Sequence, residues 1–167
     1  AMIRHDWEVF FKNRGMDEWA QRARKLNEKI YMATEWLYHH TKLPDILAKK
    51  GKQLPSVTYH DACHARKVQG IWQEPRALLA KNYELTEMED PNRCCGFGGV
   101  TIQTEKFHLA QAAGKPKAAM IAQSGADVVS AECSACRVQI SNSLYQNGVD
   151  TVFKNPVELI AEALKED

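Results

Sequence analysis

The longest apolar runs in the 167-residue chain are a few residues, far below the ~20 that a membrane-spanning helix needs. Nor does charge of one sign dominate: 22 Lys+Arg against 21 Asp+Glu leave +1. That balance supplies no basic field, so neither nucleic acid nor an anionic membrane surface is an expected partner. No apolar signal core follows Ala1-Met2-Ile3-Arg4-His5-Asp6, so export is not expected and a cytoplasmic location is. The alanine before Met2 reads as an added residue on a piece cut from a longer protein. No segment is low-complexity, and no short repeat recurs. Cysteine is missing from the whole stretch before Cys63, and the five present are odd in number, which excludes a complete intrachain disulfide framework. What remains is globular composition, 44% hydrophobic and 26% charged, in a chain long enough to bury about two-thirds of its unfolded surface.

The first 55 residues read as a helical segment and linker, distinct from the rest. Apolar Trp7 to Phe11 is followed by Gly15, and a helix is predicted from about Asp17 to His40, with Trp19, Ala23, Leu26, Ile30, Ala33 and Leu37 at spacings of three and four. Pro44, Gly51 and Pro55 punctuate a Lys-rich link. The aromatics Trp7, Phe10, Phe11, Trp19, Tyr31 and Trp36 read as helix-packing residues, with a docking face as the other reading. From residue 56 to 167 the rhythm is strand, loop, helix. Strands are expected at Ser56–His60, Tyr83–Met88, Asp127–Ala131 and Val149–Phe153. Helices are expected at Glu74–Lys81, Thr104–Gln123 with a break near Gly114 and Pro116, Ser134–Gln146, and from Pro156 onward. Strands separated by helices imply an α/β fold with a small, mainly parallel sheet.

This order places Cys63 beyond the first strand, Cys94 and Cys95 beyond the second, and Cys133 and Cys136 beyond the third. In a parallel sheet those loops share the carboxyl edge, where ligands bind. Five thiols converging there point to a thiophilic metal group. Zinc takes four ligands, and adjacent cysteines diverge, so the fifth thiol and the Cys94–Cys95 pair favour a multi-iron cluster. Gly96, Gly98 and Gly99 would let backbone approach a bulky inorganic core.

His60-Asp61-Ala62-Cys63-His64, Cys94-Cys95-Gly96-Phe97-Gly98-Gly99 and Cys133-Ser134-Ala135-Cys136 together resemble the cysteine-rich CCG domain. That domain occurs in heterodisulfide reductase and in the iron–sulfur subunits of anaerobic glycerol-3-phosphate dehydrogenase and of glycolate and lactate oxidation systems. It also occurs in E-type succinate or fumarate reductase subunits. Here 30 residues separate Cys63 from Cys94, and 37 separate Cys95 from Cys133. The second gap is slightly long for the family. The resemblance implies a noncubane [4Fe-4S] cluster on Cys63, Cys94, Cys95, Cys133 and Cys136, in the iron–sulfur component of an oxidoreductase. It further implies a flavin-containing or iron–sulfur partner subunit, a quinone or disulfide as eventual substrate, and attachment to the inner face of a membrane only through such a complex.

Other readings stand beside this one. Four of the cysteines could form a structural zinc site in an assembly module, and the cluster could cleave a disulfide directly. C-x-x-C opening a helix also fits a bare dithiol oxidoreductase, and Cys94–Cys95 a vicinal disulfide. His60 and His64 flank Cys63 as ligands, proton relays or hydrogen-bond donors to the cluster, against a reading as supporting or surface residues. Arg66, Arg93 and Arg137 would offset cluster charge unless merely exposed.

Overall fold

Val57, Thr58 and Tyr59 are consecutive and all buried, a pattern that requires cover on both faces of a strand. The computed structural model, which describes residues 1–165, supplies that cover. Strand β1 (Leu54–Tyr59) lies inside a parallel sheet ordered β2-β1-β3-β4, with β2 at Tyr83–Leu85, β3 at Val128–Ser130 and β4 at Val152–Lys154. Val57, Thr58 and Tyr59 sit in register with Val128, Val129 and Ser130, which in turn face Val152, Phe153 and Lys154. The α/β class expected from the strand–helix rhythm is the one the structure shows.

Nine α-helices are described: α1 (Trp7–Lys12, continuing a π-helical turn at Met2–Asp6), α2 (Asp17–Asn27), α3 (Ala33–His40), α4 (Leu43–Lys50), α5 (Gln73–Leu79), α6 (Val100–Glu105), α7 (Phe107–Ser124), α8 (Ser134–Gln146) and α9 (Pro156–Leu164). Side-chain alternation along the strands divides the core in two. Val129 and Phe153 pack with Ala118 and Ile121 of α7 and Ile140 and Leu144 of α8. Val57, Tyr59 and Val128 pack with Leu43 and Leu47 of α4, Leu78 and Leu79 of α5, and Leu159 and Ile160 of α9. The chain leaves β1 toward β2 on the second face and returns to β3 on the first. A chain keeping one crossover hand must change face when it changes direction, and the reversal opens a crevice between the carboxyl ends of β1 and β3.

Several boundaries differ from expectation for identifiable reasons. The helix predicted over Asp17–His40 is two helices. Met32 is extended (φ −75°, ψ 154°), and the Glu35 carboxylate accepts its N–H at 2.9 Å, a fresh helix start that hydrophobic spacing cannot reveal. The Lys-rich link contains α4, with Pro44 in its first turn and Gly51 at φ 55° closing it. α7 runs unbroken through Gly114 and Pro116, and the break falls at Lys106 (φ −131°, ψ 39°). Pro116 is tolerated because Ala112, whose carbonyl loses its donor, is exposed. Trp7, Phe10, Trp19, Tyr31 and Trp36 keep 37–47% of their surface exposed, and Trp19 packs against Phe11 between α1 and α2 with ring centroids 5.9 Å apart. Arginines 14 and 22 lie over Phe10 and Trp19.

Gly114 shows how tightly α7 meets α8. A methyl group there would lie 2.1 Å from Ser143 Oγ and 2.8 Å from Gln139 Nε2. Alanine normally gains about 1 kcal/mol over glycine inside a helix, but overpacking of this severity costs about 1–3 kcal/mol. Gly114→Ala should therefore lower stability in urea unfolding, and a stabilised variant would show that the helices part without penalty.

Candidate metal centre

Each cysteine position follows from how its loop leaves the sheet. After β1 the chain passes His60, Asp61 and Ala62, all buried, before Cys63 starts a π-helical turn at His64–Val68. The His60 N–H reaches across to the Ser130 carbonyl of β3 at 2.8 Å, and the Asp61 N–H to the Pro91 carbonyl at 3.0 Å. These two bonds tie the first cysteine loop to the other two. Asp61 is held by ion pairs to Arg66 and, at 2.6 Å, to Arg76. Arg76 in turn bonds Glu87 at 2.6 Å and lies over the Tyr59 ring.

The second loop is shaped by Gly96. At φ 89° it turns the backbone so that its own N–H points at Cys94 Sγ (3.4 Å), while the Phe97 N–H bonds the Cys95 sulfur. Successive N–H groups aimed at sulfur form an anion-receiving concavity. A side chain at Gly96 would meet Ala113 Cβ at 2.8 Å, so glycine is required by both conformation and space. Gly98 and Gly99 also have left-handed φ and form an exposed run into α6. A glutamine brace holds the loop: Gln103 Nε2 donates to the Phe97 carbonyl at 2.7 Å and to Gln139 Oε1 at 3.1 Å, and Gln139 Nε2 donates to the Ala110 carbonyl at 2.8 Å.

The third loop places Cys133 immediately before α8, where the backbone N–H groups of Ala135 and Cys136 reach its sulfur. The preceding Glu132 accepts from Thr34 Oγ1 at 2.6 Å and Thr34 N at 3.2 Å. The helical first segment is thus anchored beside the cysteines. Burial raises the Glu132 pKa against those two bonds.

Cys95 and Cys136 are buried with sulfurs 3.5 Å apart. A ring nitrogen of His60 joins them, all three donor atoms lying within 4.8 Å of one another. His60 is 1% exposed, and its Nδ1 has no hydrogen-bond partner among the described residues. Cys133 hydrogen-bonds Cys136. The Cys136 thiol, bonded to Cys133 and then Cys95, keeps its proton well above the usual range. Donation from that thiol pulls Cys133 down to about 5 and lowers Cys95, where His60 assists and burial opposes. Two thiolates sharing a thiol between them make a soft, anionic ligand set.

Cys63 and Cys94 lie nearer to solvent. Cys63 is half-buried, and desolvation, then the nearby Cys94, raises its pKa. Its sulfur lies 3.4 Å from Nδ1 of the exposed His64. Cys94 is exposed whereas Cys95 is buried, so the adjacent side chains diverge. The arginines beside the cysteines are engaged elsewhere or open to solvent. Arg66 serves Asp61, Arg137 pairs with Glu158 at 3.2 Å, and Arg93 is exposed. Sequence reasoning missed Arg76, Gln103, Gln139 and a buried Lys117. Only Gln139, one helical turn after Cys136, left a spacing signal.

These features define a class: a parallel α/β domain with cysteines on three loops at the carboxyl edge of its sheet. Comparison with known proteins gives the family. The cysteine-rich domain model known as CCG matches residues 57–141, and the chain belongs to that family. It is 39% identical over 114 residues to a subunit of the fumarate reductase (CoM/CoB) of Methanothermobacter marburgensis, covering 66% of this chain and 23% of that one. An uncharacterised iron-sulfur protein of Methanococcus maripaludis is 42% identical over 91 residues, covering 53% and 18%. Lactate utilization protein A 1 of Bacillus mycoides is 28% identical over 169 residues, covering 100% of this chain and 65% of its own length. The chain therefore spans less than two-thirds of each of these relatives.

Proposed function

We propose that Cys63, Cys94, Cys95, Cys133 and Cys136 hold an iron–sulfur cluster of the noncubane [4Fe-4S] type, and that the chain is the electron-transferring component of a larger oxidoreductase. The observation carrying this reading is the divergence of Cys94 and Cys95 within one ring of thiols, a geometry suited to two metals of one cluster and unsuited to a single ion. Bound there, such a cluster supplies one-electron redox chemistry. The chain's residues supply the rest. Cys95 and Cys133 enter as thiolates, and Cys136 gives up the proton it holds when metal arrives. N–H groups of Gly96, Phe97, Ala135 and Cys136 face the sulfurs. The unpartnered Nδ1 of His60 leaves this ring able to move a proton or to bond the bound group, and Gly98 and Gly99 keep the outer side open. His64 stands at the rim beside Cys63.

Relatives named as a fumarate reductase subunit and a lactate utilization protein favour a flavin-containing or second iron–sulfur subunit as the partner, with quinone or disulfide reduction at the end of the chain of transfers. Among the described residues no helix is long and apolar enough to cross a membrane, so any membrane attachment of this part is proposed to run through the complex. A second reading rests on the compact His60–Cys95–Cys136 grouping, which suits one tetrahedral zinc with Cys133 as fourth ligand. Protein reconstituted without exposure to oxygen should contain about four irons and four acid-labile sulfides per chain. Stoichiometric zinc with negligible iron would replace the first reading by the second.

A further inference from the structure

Lys117 is one of the largest side chains in the protein with no solvent exposure. Its Nζ donates to the Asp90 carbonyl at 2.7 Å and lies 3.5 Å from Met88 Sδ. Both partners are formally neutral, and no carboxylate of the described residues forms an ion pair with it. An ammonium buried in this way is costly unless a negative group sits near. Asp61 is already neutralised by two arginines, and Asp90 turns its carboxylate to the N–H groups of Asn92 and Arg93. Apart from Asp90, whose carboxylate faces away, the next anionic neighbour is Cys95 of the cysteine centre. Met88 shares a core cluster with Cys95 and Cys136. One turn before Lys117 on the same helix, Ala113 and Gly114 press against the backbone of Gly96. Burial lowers the lysine pKa to about 8, while Asp90 and then Cys95 act to raise it.

We propose that Lys117 is a positioning residue for the cysteine centre: its ammonium pins the segment from Met88 to Asp90 that leads into Cys94–Cys95, and its charge offsets the thiolates from beneath. The proposal rests on the iron–sulfur reading above. Reduction adds one electron, hence one negative charge, to the centre, so a fixed positive charge nearby makes reduction easier. Removing it lowers the affinity for that electron by about tenfold at a protein-like dielectric, about 59 mV for a one-electron couple.

The test is potentiometric titration of the anaerobically reconstituted chain, with iron content measured alongside. Lys117→Met removes charge and hydrogen bond. Lys117→Gln keeps a donor toward the Asp90 carbonyl and removes only the charge. Lys117→Arg keeps the charge. The expected result is a potential lowered by about 59 mV in the first two and close to wild type in the third. Loss of iron from Lys117→Gln but not from Lys117→Arg would support the same role. A wild-type potential in Lys117→Gln would overturn it, leaving a purely structural lysine. So would iron loss shared equally by the glutamine and arginine variants. A wild-type chain that takes up zinc instead of iron would remove the iron–sulfur reading and this role with it, an outcome visible before any variant is made.

Discussion

Cys95→Ser is expected to lower the iron retained after anaerobic reconstitution by more than tenfold, and Cys94→Ser to do the same. Loss of outer hydrogen-bond partners alone commonly costs metal sites about 10–100-fold, and loss of a ligand should exceed that. Cys95 is buried 3.5 Å from Cys136 and bonded by the Phe97 N–H. A serine there presents a protonated, hard oxygen where a soft thiolate stood. Cys94 is exposed, so a structural role in the core cannot explain damage at that position. Iron and visible absorbance measured on both variants decide the matter. If Cys94→Ser retained full metal, Cys94 would not be a ligand and the zinc reading on His60, Cys95, Cys133 and Cys136 would gain.

Asp61→Asn should destabilise the fold by about 3 kcal/mol, near the lower end for breaking a buried ion pair from one side. The Asp61 side chain is wholly buried, and Arg76 is 13% exposed, but Arg66 keeps 30% of its side chain in solvent, which softens the loss. Asparagine leaves two guanidinium groups facing an uncharged amide. At this chain length the change corresponds to roughly 6–12 °C in Tm. Thermal and urea unfolding of the metal-free protein measure it, and a shift below about 1 kcal/mol would mean that solvent screens the network. The same variant should hold metal less well, since Asp61 N–H and side chain fix the loop that presents Cys63.

Local sequence carried the fold class because its signals are local. Ser134–Gln146 is stopped by Asn147-Gly148, and Asn155 caps the helix at Pro156 by accepting the Val157 N–H at 3.1 Å. The α4 helix was hidden because its stabilising contacts, Leu43 and Leu47 against Val57 and Tyr59, join parts of the chain that spacing alone does not connect. The expected break at Pro116 moved to Lys106 because exposure of Ala112, not the proline itself, determined the cost.

At the candidate site the sequence by itself determined which residue types meet. Thiols placed after three successive parallel strands must share one edge, whatever the details. Only the tertiary structure decided how they differ: Cys95 and Cys136 beneath, Cys94 outside, Cys133 on a helix start, His60 sealed among them. It alone revealed Lys117, which in a run reading Gly114-Lys115-Pro116-Lys117 looks like one more solvated lysine. Where strands and helices alternate along the chain is set by short-range patterns. Burial and electrostatic environment depend on which distant segments happen to cover a residue, and that becomes defined only when the sheet, its two helical layers and the cysteine loops close together.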